Sequence, residues 1–140
     1  MDWASYFMDF AKHAATKSKD TTKVGAILVG TDGEVRLTAF NGVPRGVDDV
    51  LTRYDRPQKY MWCQHAERNL ISFAARYGIA TDGCRVYCTH FPCSQCAGAL
   101  VQAGIKVVCV GDGVTNMPEE EFKVAEIMFD EAGVNVWRMK

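Results

Sequence analysis

No apolar run in this chain approaches the length of a membrane-spanning helix, which excludes a helical membrane protein. Charge of one sign is not in excess either: Lys and Arg number 16 against 17 Asp and Glu, for a net charge of -1. The cations are scattered, and without a basic stripe a long nucleic-acid backbone is not an expected partner. Asp2, Asp9 and Lys12 interrupt the first residues, so no cleavable signal is expected and the location is expected to be cytoplasmic. Internal repeats, low-complexity tracts and linkers are absent, and residues 1–140 are expected to form one domain. Histidine is scarce, with only His13, His65 and His90. Cysteine is the exception, with six residues at positions 63, 84, 88, 93, 96 and 109. In a chain without a secretory signal these read as metal ligands and buried thiols, not as a disulfide framework. Cys84, Cys88 and Cys109 fall in predicted strands and are expected to be small buried apolar residues.

Hydrophobic periodicity outlines the elements. Trp3, Tyr6, Phe7, Phe10, Ala11 and Ala14 recur at helical spacing and predict a helix over residues 3–17 with an aromatic core face. Val24–Val29 and Val35–Phe40 read as strands, with Thr31-Asp32-Gly33 as the hairpin signal between them. Residues 41–64 form a long polar connection, a length that is usually functional or disordered. Helices are predicted at Ala66–Tyr77, Ser94–Ala103 and Glu119–Ala132, each followed by glycine. Phe122, Ala125, Ile127, Met128 and Phe129 are the expected core residues of the last one. Arg85–Thr89, Val107–Val110 and Val134–Trp137 complete the strands. A helix, a hairpin, then alternating helices and strands indicates an α/β sandwich whose sheet is partly antiparallel and partly parallel.

Two short motifs carry chemistry. His65-Ala66-Glu67 opens one predicted helix, and Pro92-Cys93-Ser94-Gln95-Cys96 opens another. One imidazole and two thiols with C-x-x-C spacing supply three ligands to a tetrahedral Zn²⁺ and leave its fourth position open, the catalytic arrangement. His65 and Glu67, two residues apart, converge on one ion only if it lies off the helix N-terminus, and the same holds for Cys93 and Cys96. Two helix N-termini would then face the site and favour thiolates. Zn²⁺ with two thiolates and a neutral imidazole is formally neutral, which makes an adjacent base more valuable. Glu67 is expected to take a proton from the attacking water and pass protons to the ring nitrogen and the departing ammonia. A closed structural site remains an alternative, with Cys63, Cys88 or His90 as fourth ligand.

The pair H-x-E and P-C-x-x-C resembles the signature of zinc-dependent nucleobase deaminases. Other segments resemble the deoxycytidylate (dCMP) deaminase branch of the cytidine deaminase-like superfamily, over nearly the whole length. These are Ser18-Lys19-Asp20, Lys23-Val24-Gly25-Ala26, Phe40-Asn41-Gly42-Val43-Pro44-Arg45-Gly46, His65-Ala66-Glu67-Arg68-Asn69, Ala74-Ala75-Arg76 and Gln102-Ala103-Gly104-Ile105. The resemblance implies a three-layer αβα sandwich around a mixed sheet of about five strands. It implies one catalytic Zn²⁺ and hydrolytic deamination of dCMP to dUMP, supplying dUMP for thymidylate synthesis. Asn41 matches the asparagine that contacts the sugar, and Arg76 an arginine that binds the 5′-phosphate; a guanidinium suits phosphate through paired donors. Lys19, Lys23 and Arg45 are further phosphate candidates, and Glu67 with the Ala66 backbone is expected to hold the pyrimidine edge. Relatives assemble, so a homo-oligomer, hexamers being common, is expected. Ala39-Phe40 departs from the usual glycine-tyrosine before the asparagine. No second ligand set is found for the structural zinc that accompanies dCTP and dTTP control in many relatives. Alternatives are a 5-substituted dCMP or another nucleotide or nucleoside, a base in RNA, and a non-catalytic zinc-binding scaffold.

Overall fold

The computed structural model describes residues 1–139. Helix α1 spans Trp3–Ala15 and starts at Asp2, whose carboxylate accepts the Ser5 N–H at 2.7 Å. Strands β1 (Gly25–Val29) and β2 (Val35–Phe40) form the hairpin, followed by the short helix α2 (Lys59–Trp62). Then come α3 (Ala66–Tyr77), β3 (Arg85–His90), α4 (Ser94–Gln102), β4 (Val107–Gly113), α5 (Glu119–Glu131) and β5 (Asn135–Arg138). The strands make one five-stranded sheet in the order β2-β1-β3-β4-β5. Strand β1 is antiparallel to both neighbours, while β3, β4 and β5 run parallel. The expected mixed sandwich is the observed one.

All five residues of β1 are buried because both faces of the sheet are covered. Strand alternation sends Ile27 and Val29 to one side, where they meet Phe7, Met8 and Ala11 of α1. Ala26 and Leu28 go to the other, against Leu70 of α3 and Leu100 of α4, with Ala125 and Phe129 of α5 in the same cluster. Three layers result: α1, the sheet, and α3, α4 and α5. Each fully buried Leu, Ile or Val contributes about 1.5–3 kcal/mol of apolar transfer.

The core face of α1 differs from the sequence expectation. Phe7, Met8, Ala11 and Ala15 are buried, whereas Trp3, Tyr6 and Phe10 face outward. Close approach helps set the choice: a Cβ on Gly25 would lie 1.9 Å from the Ala11 carbonyl oxygen, so at Gly25 α1 presents Ala11 and Ala15 to β1. The aromatics stack edge-to-face on the outer surface, Trp3 on Tyr6 at 5.5 Å and Tyr6 on Phe10 at 5.1 Å. In α5, Ala125 and Phe129 are buried and Ile127 is 55% exposed. That helix packs on α4 through one narrow stripe, and the Phe91 ring meets Phe122 and Phe129 edge-on.

The connection 41–64 is ordered. It contains a one-turn 3₁₀ helix (Leu51–Tyr54) and α2, and its ends are joined by reciprocal hydrogen bonds between Gly42 and Gln64. The Tyr54 hydroxyl donates to Asp49 at 2.8 Å and accepts the Val43 N–H at 3.2 Å. Lys59 is buried against Asp20, Nζ to Oδ1 2.9 Å.

Candidate active site

The antiparallel placement of β1 brings four chain ends to one edge of the sheet. The last residue of β2 pairs with the first of β1, and Ala26 pairs with Cys88 near the end of β3. Asn41, Val24, His90 and the segment after β4 therefore surround one space, outside the carboxyl ends of the parallel strands. Helices α3 and α4 begin beside it. His65 is the N-cap of α3 with extended backbone, and Cys93 is the N-cap of α4, one residue after Pro92. Neither helix start is capped by its own N-cap side chain; the first N–H of α4, on Ser94, is taken by Glu121, while the start of α3 offers its first N–H groups and partial positive charge to the site.

His65, Cys93 and Cys96 converge as the spacing predicts. The imidazole Nδ1 lies 3.5 Å from Cys93 Sγ and 3.4 Å from Cys96 Sγ, and all three donor atoms fall within 4.8 Å of one another. A tetrahedral zinc with ordinary Zn–N and Zn–S bonds separates nitrogen from sulfur by about 3.6 Å, so the donor set fits that ion. Cys63, Cys88 and His90 are not in the cluster, which among the described residues leaves three ligands. The closed structural site of the sequence reading is not the one built. Cys93 is the thiol that ionises first: the Cys96 thiol hydrogen-bonds it and, with His65, holds it down to about 4. The anion so formed, together with burial, pushes Cys96 up; a divalent cation held by the two sulfurs would keep both as thiolates.

Glu67 is buried and lines the cavity next to the cluster. Burial raises its carboxyl above the ordinary range, opposed by its own backbone N–H and by His65. A carboxylate in such surroundings holds and releases a proton near neutral pH more readily than an exposed one. It is not one of the three clustered ligands. The cavity is about 410 Å³ and is lined by the ligands His65 and Cys93 together with Asn41, Lys59, Arg56 and Tyr60. His90, Phe91 and residues 115–118 line it as well. This size suits a small molecule.

The structure brings Asn41, Ala66 and Glu67 to this cavity, and does not bring the four cations the sequence suggested. Asn41 accepts the Val24 N–H at 2.9 Å and donates to the Thr22 carbonyl at 2.8 Å, leaving one amide N–H for a ligand. Arg76 is exposed on the last turn of α3, with its guanidinium 5.8 Å from the Tyr77 ring. Eleven residues of helix carry it about 16 Å along the axis from His65. Lys19 pairs with Asp49 at 3.0 Å, Lys23 bonds the Ser18 carbonyl, and Arg45 lies over the Phe73 ring at 4.5 Å. The cavity cations are Arg56, Lys59 and Arg68. Arg56 and Lys59 went unnoticed because the connection 41–64 has no periodicity to place them. Thr115 has no sequence signal; its Oγ1 and Arg68 Nε are buried on cavity residues without a hydrogen-bond partner among the described residues.

A zinc cluster with a buried carboxylate beside it, at paired helix starts under a mixed sheet, defines a zinc-dependent deaminase. The chain belongs to the cytidine and deoxycytidylate deaminase zinc-binding family, whose profile matches residues 1–112. Among relatives, the uncharacterized deaminase of the luxG 3′ region of Aliivibrio fischeri is 38% identical over 138 residues, 96% of this chain and 91% of that protein. Mouse deoxycytidylate deaminase is 35% identical over 142 residues, covering 96% and 78% of the two chains. The crystal structure of the cyanophage S-TIM5 dCMP deaminase in complex with dCMP and dUMP aligns with TM-score 0.78 at 26% identity, over 96% of this chain and 95% of that one.

Proposed function

We propose that this chain hydrolyses the exocyclic amine of dCMP, giving dUMP and ammonia for thymidylate synthesis. The observation that carries the reading is the cavity, in which a three-ligand zinc cluster and a buried, non-ligating carboxylate share one end. Its likeness to the mouse and cyanophage enzymes supports dCMP as the substrate. Zinc, when bound, polarises water at the open position and lowers its pKa. Glu67 takes one proton from that water and gives it to the ring nitrogen as the oxygen adds to the ring carbon, then takes the remaining hydroxyl proton from that carbon and gives it to the amine, which leaves as ammonia. The first N–H groups of α3, with Ala66 foremost, take the pyrimidine edge, and the remaining Asn41 N–H takes the sugar.

Arg56 replaces Arg76, Lys19, Lys23 and Arg45 as the contact to the 5′-phosphate. It lines the cavity, is exposed, and its Nε donates to the Tyr60 hydroxyl at 2.8 Å. Lys59 beside it is already neutralised by Asp20. We assign the activity to one domain over residues 1–140, acting in the cytoplasm as a homo-oligomer. No helix among the described residues is long and apolar enough to cross a membrane. Leu51 and Met61 of the connection 41–64, 70% and 79% exposed, support contact with further copies, which sedimentation velocity measures.

Ammonia release from dCMP, dCTP, deoxycytidine and cytosine by the zinc-loaded protein tests the reading. dCMP is expected to turn over best, and equal turnover of the free nucleoside would remove the nucleotide assignment.

A further inference from the structure

Arg68 is unexplained by anything said so far about the chemistry. It stands in the first turn of α3, three residues after the ligand His65 and next to Glu67. Its Nη1 donates to Gln95 Oε1 at 3.2 Å, and Gln95 lies between the two ligand cysteines. The side chain therefore reaches from one helix start to the other. Its Nε is buried without a partner among the described residues, and the residue lines the cavity. Leaving a charged donor so placed costs free energy unless the surrounding charge offsets it.

That surrounding charge is negative. Two thiolates and the Glu67 carboxylate against one divalent ion leave one negative charge in excess. Glu121 adds another carboxylate at the start of α4, accepting from Ser94 N and Oγ at 3.1 and 2.7 Å. Of the other cavity cations, Lys59 is committed to Asp20 and Arg56 is engaged with Tyr60.

We propose that Arg68 is a positioning residue of the zinc centre, its guanidinium balancing the excess negative charge of the thiolates and Glu67 and holding the ligand set together. The inference rests on the zinc site and not on which nucleotide is deaminated, so it stands or falls separately from the dCMP assignment. Outer groups of this kind typically change metal affinity about 10- to 100-fold.

The experiment follows zinc release from the loaded protein to a chromogenic chelator in the wild type, R68Q, R68K and the charge-balanced E67Q/R68Q. R68Q is expected to release zinc about 10-fold faster or more, R68K to stay close to wild type, and E67Q/R68Q to recover most of the loss. Wild-type release by R68Q overturns the proposal, as does R68K releasing zinc as fast as R68Q. If R68Q alone does not fold, E67Q/R68Q and R68K carry the test: both retain zinc if charge is the cause, and fast release from either refutes it.

Discussion

Lys59 and Asp20 offer a sharp test of how the cavity wall is held. Their side chains are only 10% and 6% exposed and meet at 2.9 Å, joining α2 to the segment before β1. Removing the cation in K59M leaves a buried carboxylate without its countercharge. Breaking a buried pair from one side typically costs about 3–5 kcal/mol. Asp20 keeps the Thr22 N–H at 3.0 Å and the Thr21 hydroxyl at 3.4 Å, so the lower end applies, about 3 kcal/mol, or a fall of about 10 °C in Tm for a domain of this size. Removing both charges in D20N/K59M avoids the unpaired carboxylate and is expected to lie within about 1 kcal/mol of the wild type. Urea unfolding of the zinc-saturated proteins, followed by circular dichroism, measures both. An unmoved midpoint for K59M, or a double variant as unstable as the single one, would refute the reasoning.

Three other outcomes are expected. R56Q raises KM for dCMP about 10-fold, through loss of a charge-assisted phosphate contact, while deoxycytidine turnover is unchanged; equal effects on both substrates would remove Arg56 from the phosphate site. E67Q lowers kcat by about 10²–10⁴ or more with full zinc content, read by ammonia release and metal analysis. Loss of zinc in that variant would make Glu67 a ligand. G25A forces a Cβ to within 1.9 Å of the Ala11 carbonyl and 2.7 Å of the Ala15 nitrogen. It is expected to displace α1 and cost about 1–3 kcal/mol, seen as a lower urea midpoint.

The metal triad was legible because ligand spacing is a local property: a histidine and a C-x-x-C pair at helix starts can converge without any long-range information. Helix α3 was placed at Ala66–Tyr77 from its periodicity and the terminating Gly78, and the structure has the same limits. The facing of α1 was not legible. Trp3, Tyr6 and Phe10 satisfy a helical stripe as well as Phe7, Ala11 and Ala15 do, and the choice is set in part by Gly25, a residue on another element. Arg76 does not line the cavity, and its position on the helix gave no sign of how far the helix carries it from His65. Arg56 and Thr115 sit in irregular backbone and Lys59 opens a one-turn helix, where neighbours far apart in sequence decide orientation. Lys59 with Asp20, separated by 39 positions, is such a case.

The paired hydrogen bonds between Gly42 and Gln64, at 3.1 and 2.8 Å, close residues 43–63 into a ring tied at its neck. His65 follows immediately after the knot, so changes in the ring's contour need not reach the ion. Lengthening such a loop costs little, about 0.6 kcal/mol per doubling. On the reading proposed above, the phosphate contact Arg56 sits within this ring, apart from the residues that hold the ion. New ring sequences can be tried for other phosphorylated or unphosphorylated bases while the zinc centre stays as it is.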